Sequence, residues 1–263
     1  MSYAAISIFA VGFLLAVLVA FTFVEDRRRN AFLLPIWVLT LAATLNWAWI
    51  FEWGAGLSTA LVGNILATQV AFGGLLLVFR DAIRLTIILG PYLLMALLLV
   101  IWSSTSVAGV SLLNGVSVWL MLHIAVSMLG YGLVTVGAIA GFATILRDRA
   151  IKQRIRNRFL EQLPSVSSTS RIELLGLSSA EVLLGLGILF GVGAEYSTTG
   201  QFFEFTHKSL FSLLAFVLIG ALLYIHLRSG LRGRFAARLG LTAYLLVSLG
   251  YPGVKFVTDI LIS

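Results

Sequence analysis

Eight long runs of apolar residues follow one another along the chain, separated by polar connections. A helix needs about 20 mostly apolar residues to cross the hydrocarbon of a bilayer. We number the runs spans 1 to 8: Ser2 to Val24, Leu33 to Ile50, Leu57 to Phe79, Leu85 to Trp102, Val116 to Leu146, Leu174 to Ala194, Ser209 to Ile225 and Leu239 to Val257. Helices satisfy all of their own backbone hydrogen bonds in lipid. The pattern therefore predicts an all-α, polytopic integral membrane protein with about eight transmembrane helices in a single domain, residues 1–263.

Composition supports this prediction and excludes other classes of protein. The 263 residues are 60% hydrophobic and only 11% charged, whereas a soluble domain carries about a quarter charged residues. The chain has no cysteine, which excludes disulfides, iron–sulfur clusters and covalently attached haem. Any metal or cofactor must therefore be held by other side chains.

Basic residues are concentrated in alternate connections. Cytoplasmic loops of membrane proteins collect Lys and Arg. Sixteen of the eighteen basic residues fall on one side: Arg27, Arg28, Arg29, Arg80, Arg84, Arg147, Arg149, Lys152, Arg154, Arg156, Arg158, Arg171, Arg228, Arg232, Arg234 and Arg238. Only Lys208 and Lys255 remain for the other side. The sorting predicts a multi-pass membrane protein with both termini non-cytoplasmic, and it explains the net charge of +7 without nucleic acid as a partner.

The longest polar segment runs from Arg147 to Arg171. Within it, Ile151, Ile155 and Phe159 recur every four residues among the charges, which predicts a basic amphipathic extension of the fifth helix. Two interpretations stay open for this segment. It is either a docking surface for a partner or for anionic lipid, or a solvated loop that sets the topology.

Histidines in or near the spans are candidates for binding chemistry, because ionisable groups are costly at membrane depth. His123 lies about seven residues inside span 5, or about 10 Å deep, and His207 precedes span 7 on the same outward side. Two neutral imidazoles from separate helices can hold the iron of haem b from both axial faces. The alternatives are a hydrogen-bonded polar residue for His123 and an interfacial helix-end residue for His207. His226 lies about 28 Å along the helix from His207, and we interpret it as an interfacial residue.

Glu181 is an acidic residue inside span 6. A proton or cation role is one interpretation. A hydrogen bond to another helix, through Asn46, Asn64, Gln69 or a serine, is the other. The same span carries glycines that indicate close helix packing: Gly185, Gly187, Gly191 and Gly193.

Two segments carry a resemblance to a known family. WLMLHIAVSMLGY, from Trp119 to Tyr131, resembles the cytochrome c assembly membrane-protein family, whose core pattern has Trp four residues before His and Gly-Tyr shortly after. THKSLFSLLAFVLIGALLYIHLRSGLRGR, followed by YPGVKFV, is similar to the C-terminal part of the YpjD and HemX branch of that family. The resemblance implies that His123 is a haem ligand and that His207 and Lys208 are the family's His-Lys pair. The predicted haem b site therefore comprises His123 and His207 as metal ligands, with Trp119, Tyr131 and Lys208 around them.

The chain departs from this family in one outward connection. The family's haem lyases and the CcmC type present haem on a tryptophan-rich outward loop, whereas the connection GAEYSTTGQFFEFTHK between spans 6 and 7 contains no Trp. The resemblance covers about residues 116–263 and implies haem binding without that loop. We assign no catalytic residue and do not expect a haem lyase.

Three functions are consistent with these patterns. The first is a membrane-embedded b-type haem protein that holds haem near the outer face for haem handling or cytochrome assembly support, together with cytochrome assembly or other membrane partner proteins. The second is an electron-transfer subunit with the same haem, which a second haem across the membrane would favour. The third is a cofactor-free transporter or regulatory scaffold, which absence of bound iron would favour.

Overall fold

The computed structural model describes residues 26–50, 56–103, 117–154, 157–200, 207–230, 233–253 and 256–257. Within these ranges the chain forms helices that we number in chain order: α1 (Asp26–Ile50), α2 (Leu57–Val78), α3 (Thr86–Ser103), α4 (Val118–Lys152), α5 (Arg158–Gln162), α6 (Val166–Thr199), α7 (His207–Ser229) and α8 (Arg234–Ser248). A 3₁₀ turn at Arg80–Leu85 leads into α3, and a π turn at Leu249–Gly253 follows α8. These ranges contain no strand.

The helices match the predicted spans. α1 to α4 correspond to spans 2 to 5, and α6 to α8 correspond to spans 6 to 8, whereas span 1 lies outside the described residues. Large apolar side chains such as Leu77 and Leu189, 88% and 66% exposed, cover surfaces that suit contact with lipid. Five segments of the described chain are long and apolar enough to cross a membrane: Leu57–Val78, Arg80–Ser103, Val118–Lys152, Val166–Thr199 and Ser209–His226. The prediction of an all-α, polytopic membrane protein is confirmed.

Serine residues define where the two longest helices begin. Ser117 precedes α4, and its hydroxyl accepts a hydrogen bond from the backbone N–H of Leu120. Ser165 precedes α6 in the same way and accepts from the N–H of Ser168. Each cap satisfies one of the backbone donors that the first turn of a helix leaves unpaired. α6 ends at Gly200, whose φ of 73° is the left-handed conformation that glycine adopts readily.

Helices α4, α6, α7 and α8 form a ring. α4 packs against α6 and α8, and α7 packs against the same two helices, so that α4 and α7 are diagonally opposite. α2 packs on the outside of α4, and α1 and α3 pack on α2. All four ring helices contribute apolar side chains to the interior of the ring: Val134, Leu177, Ala180, Leu184, Ile219, Leu222 and Ala243.

Glycines bring α4 and α6 close together along an antiparallel seam. A Cβ added at Gly176 of α6 would lie 3.4 Å from the Cα of Gly137 in α4. Small residues of this kind let two helix backbones approach in a membrane, where close packing replaces the hydrophobic effect as the cause of association. The predicted packing role is confirmed for the four glycines of span 6, whose added Cβ atoms would all lie within 3.2 Å of a side chain of a neighbouring helix: Gly185, Gly187, Gly191 and Gly193.

Charged residues collect at one end of the ring, which we call the basic end and define by Arg147, Arg171, Arg228 and Arg234. Here Asp148 pairs with Lys152 at 3.0 Å and with Arg234 at 3.7 Å. Arg147 donates a hydrogen bond to the carbonyl of Leu160. The opposite end contains the start of α4 with His123, and we call it the histidine end. The orientation of the basic end toward the cytoplasm stays a prediction.

The connection between α4 and α6 is shorter than the polar segment from Arg147 to Arg171. The predicted helical extension is confirmed as far as Lys152, where α4 ends. Ile151 is 64% exposed in that last turn, and Ile155 lies outside the described residues. α6 already begins at Val166, because the preceding serine caps the helix ahead of its apolar run.

Candidate functional site

His123 projects from α4 toward two glycines of α6. Its Nδ1 lies 2.6 Å from the backbone oxygen of Gly187, and a Cβ at Gly191 would lie 3.0 Å from both Nδ1 and Cε1. Because a carbonyl oxygen can only accept, this hydrogen bond requires the proton on Nδ1. In the neutral form of the ring, Nε2 then carries the lone pair, and the hydrogen bond fixes the orientation of the imidazole.

Trp119 stands one helical turn before His123 on α4. A Cβ at Gly193 would lie 3.2 Å from the Trp119 ring, and the ring centroids of Trp119 and Phe190 are 6.2 Å apart. The indole is half-exposed. Two aromatic rings in contact therefore lie one turn from the imidazole.

Two contacts fix the register of the antiparallel helices α6 and α7. Glu181 Oε1 lies 2.8 Å from the Cβ position of Gly220, and Phe216 lies 3.1 Å from that of Gly185. Each residue forward along α6 is thus matched by one residue back along α7. Continued to the histidine end, this register places the start of α7 opposite Ala194.

His207 and Lys208 are the first two residues of α7. Ala194 is three residues, or about 4.5 Å along the helix, beyond Gly191, which adjoins His123. The backbone therefore places His207 within about one turn of the level of His123, on the diagonally opposite helix of the ring. The side chains of His207 and Lys208 lie outside the described residues.

Tyr131, the other residue of the predicted site, lies elsewhere. It follows His123 by eight residues, or about 12 Å along α4. Its hydroxyl is 3.0 Å from Ser248 Oγ, and its ring stacks on Tyr244 of α8 with the centroids 6.2 Å apart. The structure does not bring Tyr131 together with His123.

Tyr131 belongs instead to a tyrosine cluster formed by Tyr92, Tyr131 and Tyr244. The hydroxyl of Tyr244 donates to that of Tyr92 at 3.3 Å, and Tyr92 donates to Asn64 Oδ1 at 2.7 Å. This hydrogen-bonded chain crosses from α8 through α3 to α2. It ties the ring to the helices that precede it in sequence.

Glu181 makes no hydrogen bond within the described part of the chain, and its Oε2 is buried. The candidate partners Asn64 and Gln69 bond to other residues: Asn64 accepts from Tyr92, and Gln69 donates to Thr44 Oγ1 at 2.5 Å. The structure shows no bond from Glu181 to either amide, so this alternative is not observed for Asn64 and Gln69.

Glu173 is a second acidic residue of α6, which the apolar pattern did not indicate. Span 6 was predicted to begin at Leu174, whereas α6 begins at Val166, so Glu173 lies seven residues inside the helix and is only 3% exposed. Ser165 is the residue of the sequence that indicates this earlier helix start, because serine caps helices and Ser165 precedes a serine-rich turn.

His226, in the last turn of α7, lines a cavity beside Glu173 and lies far from His207, as the sequence indicated.

These features define a class of protein: a polytopic helical membrane protein that holds an oriented imidazole at one end of a four-helix ring. A family model described as "Cytochrome C assembly protein" matches residues 31–262. The chain belongs to the cytochrome c assembly protein family. The match begins in α1 and therefore extends well beyond residues 116–263, on which the resemblance of the two motifs rests.

Individual relatives agree with this assignment. A protein of Azospirillum brasilense named "Uncharacterized 28.8 kDa protein in nifR3-like 5'region" is 40% identical over 238 residues, which are 89% of this chain and 88% of that protein. The cytochrome c biogenesis protein CcsA of Synechococcus sp. (strain CC9902) is 23% identical over 160 residues, 53% of each chain. CcsA of Heterosigma akashiwo (strain NIES-293 / 8280G21-1) is 26% identical over 169 residues, 52% of each chain. The chain spans about half the length of these CcsA relatives, and no solved structure matches it significantly.

Proposed function

We propose that this protein handles haem for cytochrome c assembly and binds haem b at the histidine end, between His123 and His207. The observation that carries the proposal is the hydrogen bond from His123 Nδ1 to the Gly187 carbonyl. Metal-ligating histidines commonly donate their second ring nitrogen to a carbonyl or carboxylate, which fixes the tautomer and the ring direction. Membership of the cytochrome c assembly family supports the same cofactor.

The residues at the histidine end fit a haem group. His123 offers Nε2 as a ligand atom, and the backbone register brings His207 to a similar level across the ring. Trp119 and Phe190 supply aromatic surface for the macrocycle, and Lys208 supplies a cation for a propionate. The chain has no cysteine, so the haem is held without a thioether bond, as in b-type proteins.

The protein's own residues bind and orient the group, while bound haem would supply an iron that two imidazoles hold in a low-spin state. Gly187 orients His123, and Gly191 leaves room for its ring because a side chain there would overlap the imidazole. The connection between α6 and α7 lacks the tryptophan-rich loop, so we assign haem presentation to partner proteins of the assembly system in the bacterial inner membrane. This chain then receives, holds or passes on haem.

Haem content and absorbance spectra of detergent-purified variants test this proposal. We expect low-spin haem b in the wild-type protein, and loss of haem or a change to a high-spin spectrum in His123→Ala and in His207→Ala. His226→Ala is the matched control, because His226 lies at the basic end; its spectrum should equal that of the wild type. Full, unaltered low-spin haem in both outer variants would refute the site, and wild-type protein without iron would favour the cofactor-free alternative.

A further inference from the structure

Glu173 is a buried acid in a close-fitting glycine cradle. Its side chain is 3% exposed, and Oε1 makes no hydrogen bond in the described part of the chain. A Cβ at Gly141 of α4 would lie 2.8 Å from Oε1, and a Cβ at Gly240 of α8 would lie 3.1 Å from it. α4 and α8 therefore each have a glycine where a side chain would occupy the space of this carboxyl group.

A cavity adjoins the carboxyl group at the basic end. It lies among α6, α7 and the start of α8. Its volume is about 20 Å³, which is enough to hold one water molecule. Ser170 and His226 supply polar lining, and Leu177, Leu222 and Ala236 supply apolar lining. The carboxyl group is therefore enclosed by protein but lies next to a space that admits water.

Within the described part of the chain, no cationic group of the surrounding helices pairs with Glu173. On α4, Arg147 donates to the Leu160 carbonyl; on α8, Arg234 pairs with Asp148 of α4. Arg171 and Arg238 are exposed, and Arg228 of α7 lies over the Tyr224 ring. His226 is the titratable group that shares the cavity with Glu173. A buried carboxylate without a cationic partner is strongly disfavoured, so the neutral acid is the form that this cradle accommodates.

We propose that Glu173 is a proton-binding site that exchanges its proton with the aqueous phase at the basic end through this cavity. The O–H bond of the carboxyl group breaks, the proton moves to a water molecule in the cavity, and the reverse step restores the neutral acid. No other bond changes. The site is separate from the histidine end and does not depend on bound haem.

Infrared spectroscopy of the full-length protein in lipid vesicles, during transfer from H₂O to D₂O, tests this proposal. A protonated carboxyl group has a C=O stretching band that is separate from the carboxylate and amide bands and shifts on deuteration. We expect such a band in the wild type. Glu173→Gln should remove the component of the band that belongs to Glu173, and the matched control Glu181→Gln should retain that component, whatever Glu181 itself contributes. Ala236→Leu fills the cavity, so we expect it to slow deuteration of the band at least tenfold.

A second measurement on unmutated protein guards against a variant that fails to fold. The O–H of a protonated carboxyl group adds across a C=N bond of a hydrophobic carbodiimide, and the O-acylisourea formed rearranges by an O-to-N acyl shift to a stable N-acylurea, so no group leaves. We expect this adduct on Glu173 and not on the exposed Glu161, located by mass spectrometry of proteolytic fragments. An unchanged band in Glu173→Gln together with no adduct on Glu173 would show an ionised Glu173. A Glu173 component that never deuterates would show an acid without access to water. Unchanged exchange in Ala236→Leu would exclude the cavity as the route. Any of these results overturns the proposal.

Discussion

Replacing Gly191 by Ala tests whether the orientation of His123 controls haem affinity. The new Cβ would lie 3.0 Å from the ring atoms Nδ1 and Cε1, which is closer than ordinary van der Waals contact, so the imidazole must shift. A shift breaks or lengthens the 2.6 Å hydrogen bond to the Gly187 carbonyl. Loss of such an orienting partner typically lowers metal affinity about 10- to 100-fold, which corresponds to about 1.4 to 2.8 kcal/mol.

Gly185→Ala is the matched control on the same helix. Its Cβ would lie 3.1 Å from the ring of Phe216 on α7, so both variants crowd an aromatic ring by nearly the same amount. Each costs about 1 to 3 kcal/mol of packing strain and regains up to about 1 kcal/mol from the higher helix propensity of Ala. The two variants should therefore have similar unfolding midpoints in detergent.

Haem titration of the apoprotein, followed by absorbance, distinguishes the two variants. We expect the apparent Kd for haem to rise at least tenfold in Gly191→Ala and to stay within about twofold of wild type in Gly185→Ala. Equal losses in both would mean that haem binding senses only general packing of α6. Wild-type affinity in Gly191→Ala would show that the hydrogen bond to Gly187 does not position the ligand.

Three further predictions concern packing and topology. Gly132→Ala should destabilise the protein by about 3 kcal/mol, because its Cβ would lie 2.5 Å from the backbone of Ala67. The control Gly74→Ala, whose Cβ would have nothing within 4 Å, should be neutral or slightly stabilising. Thermal unfolding in detergent compares the two variants. Gln69→Leu should cost about 1 kcal/mol through loss of its buried bond to Thr44, and an unchanged midpoint would refute this. Reporter fusions should show both termini outside the cytoplasm; activity of a cytoplasm-only reporter at either end would contradict the charge sorting.

The helices could be predicted from the sequence because lipid leaves little choice of backbone structure. The apolar runs therefore located the helices from span 2 onward, whereas the side of the membrane that the basic residues face stays a prediction. Helix boundaries could be predicted less accurately, because a capping residue can start a helix several residues before its apolar run. With Ser165 as its cap, α6 begins at Val166, eight residues before the predicted start at Leu174. The predicted boundary left Glu173 outside the helix, so its burial was not predicted.

The candidate site could be predicted only in part. Trp119 and His123 share a face of α4 because they are four residues apart, so their proximity follows from the sequence. Tyr131 is near in sequence to His123 but lies on the face of α4 that meets α8, and only the three-dimensional packing reveals this. The Gly187 carbonyl that orients His123 is 64 residues away in sequence, and a backbone acceptor has no signature in the sequence.

The tyrosine cluster connects α2 and α3 to α8, and this has a consequence for biosynthesis. Tyr244 follows Tyr92 by 152 residues, and Ser248, the partner of Tyr131, belongs to α8 as well. A nascent chain that has inserted α2 to α7 therefore still lacks the residues that close the cluster. Its tyrosine hydroxyls reach their full set of hydrogen bonds only when α8 enters the bilayer, so the polar cluster stays incomplete until α8 is inserted.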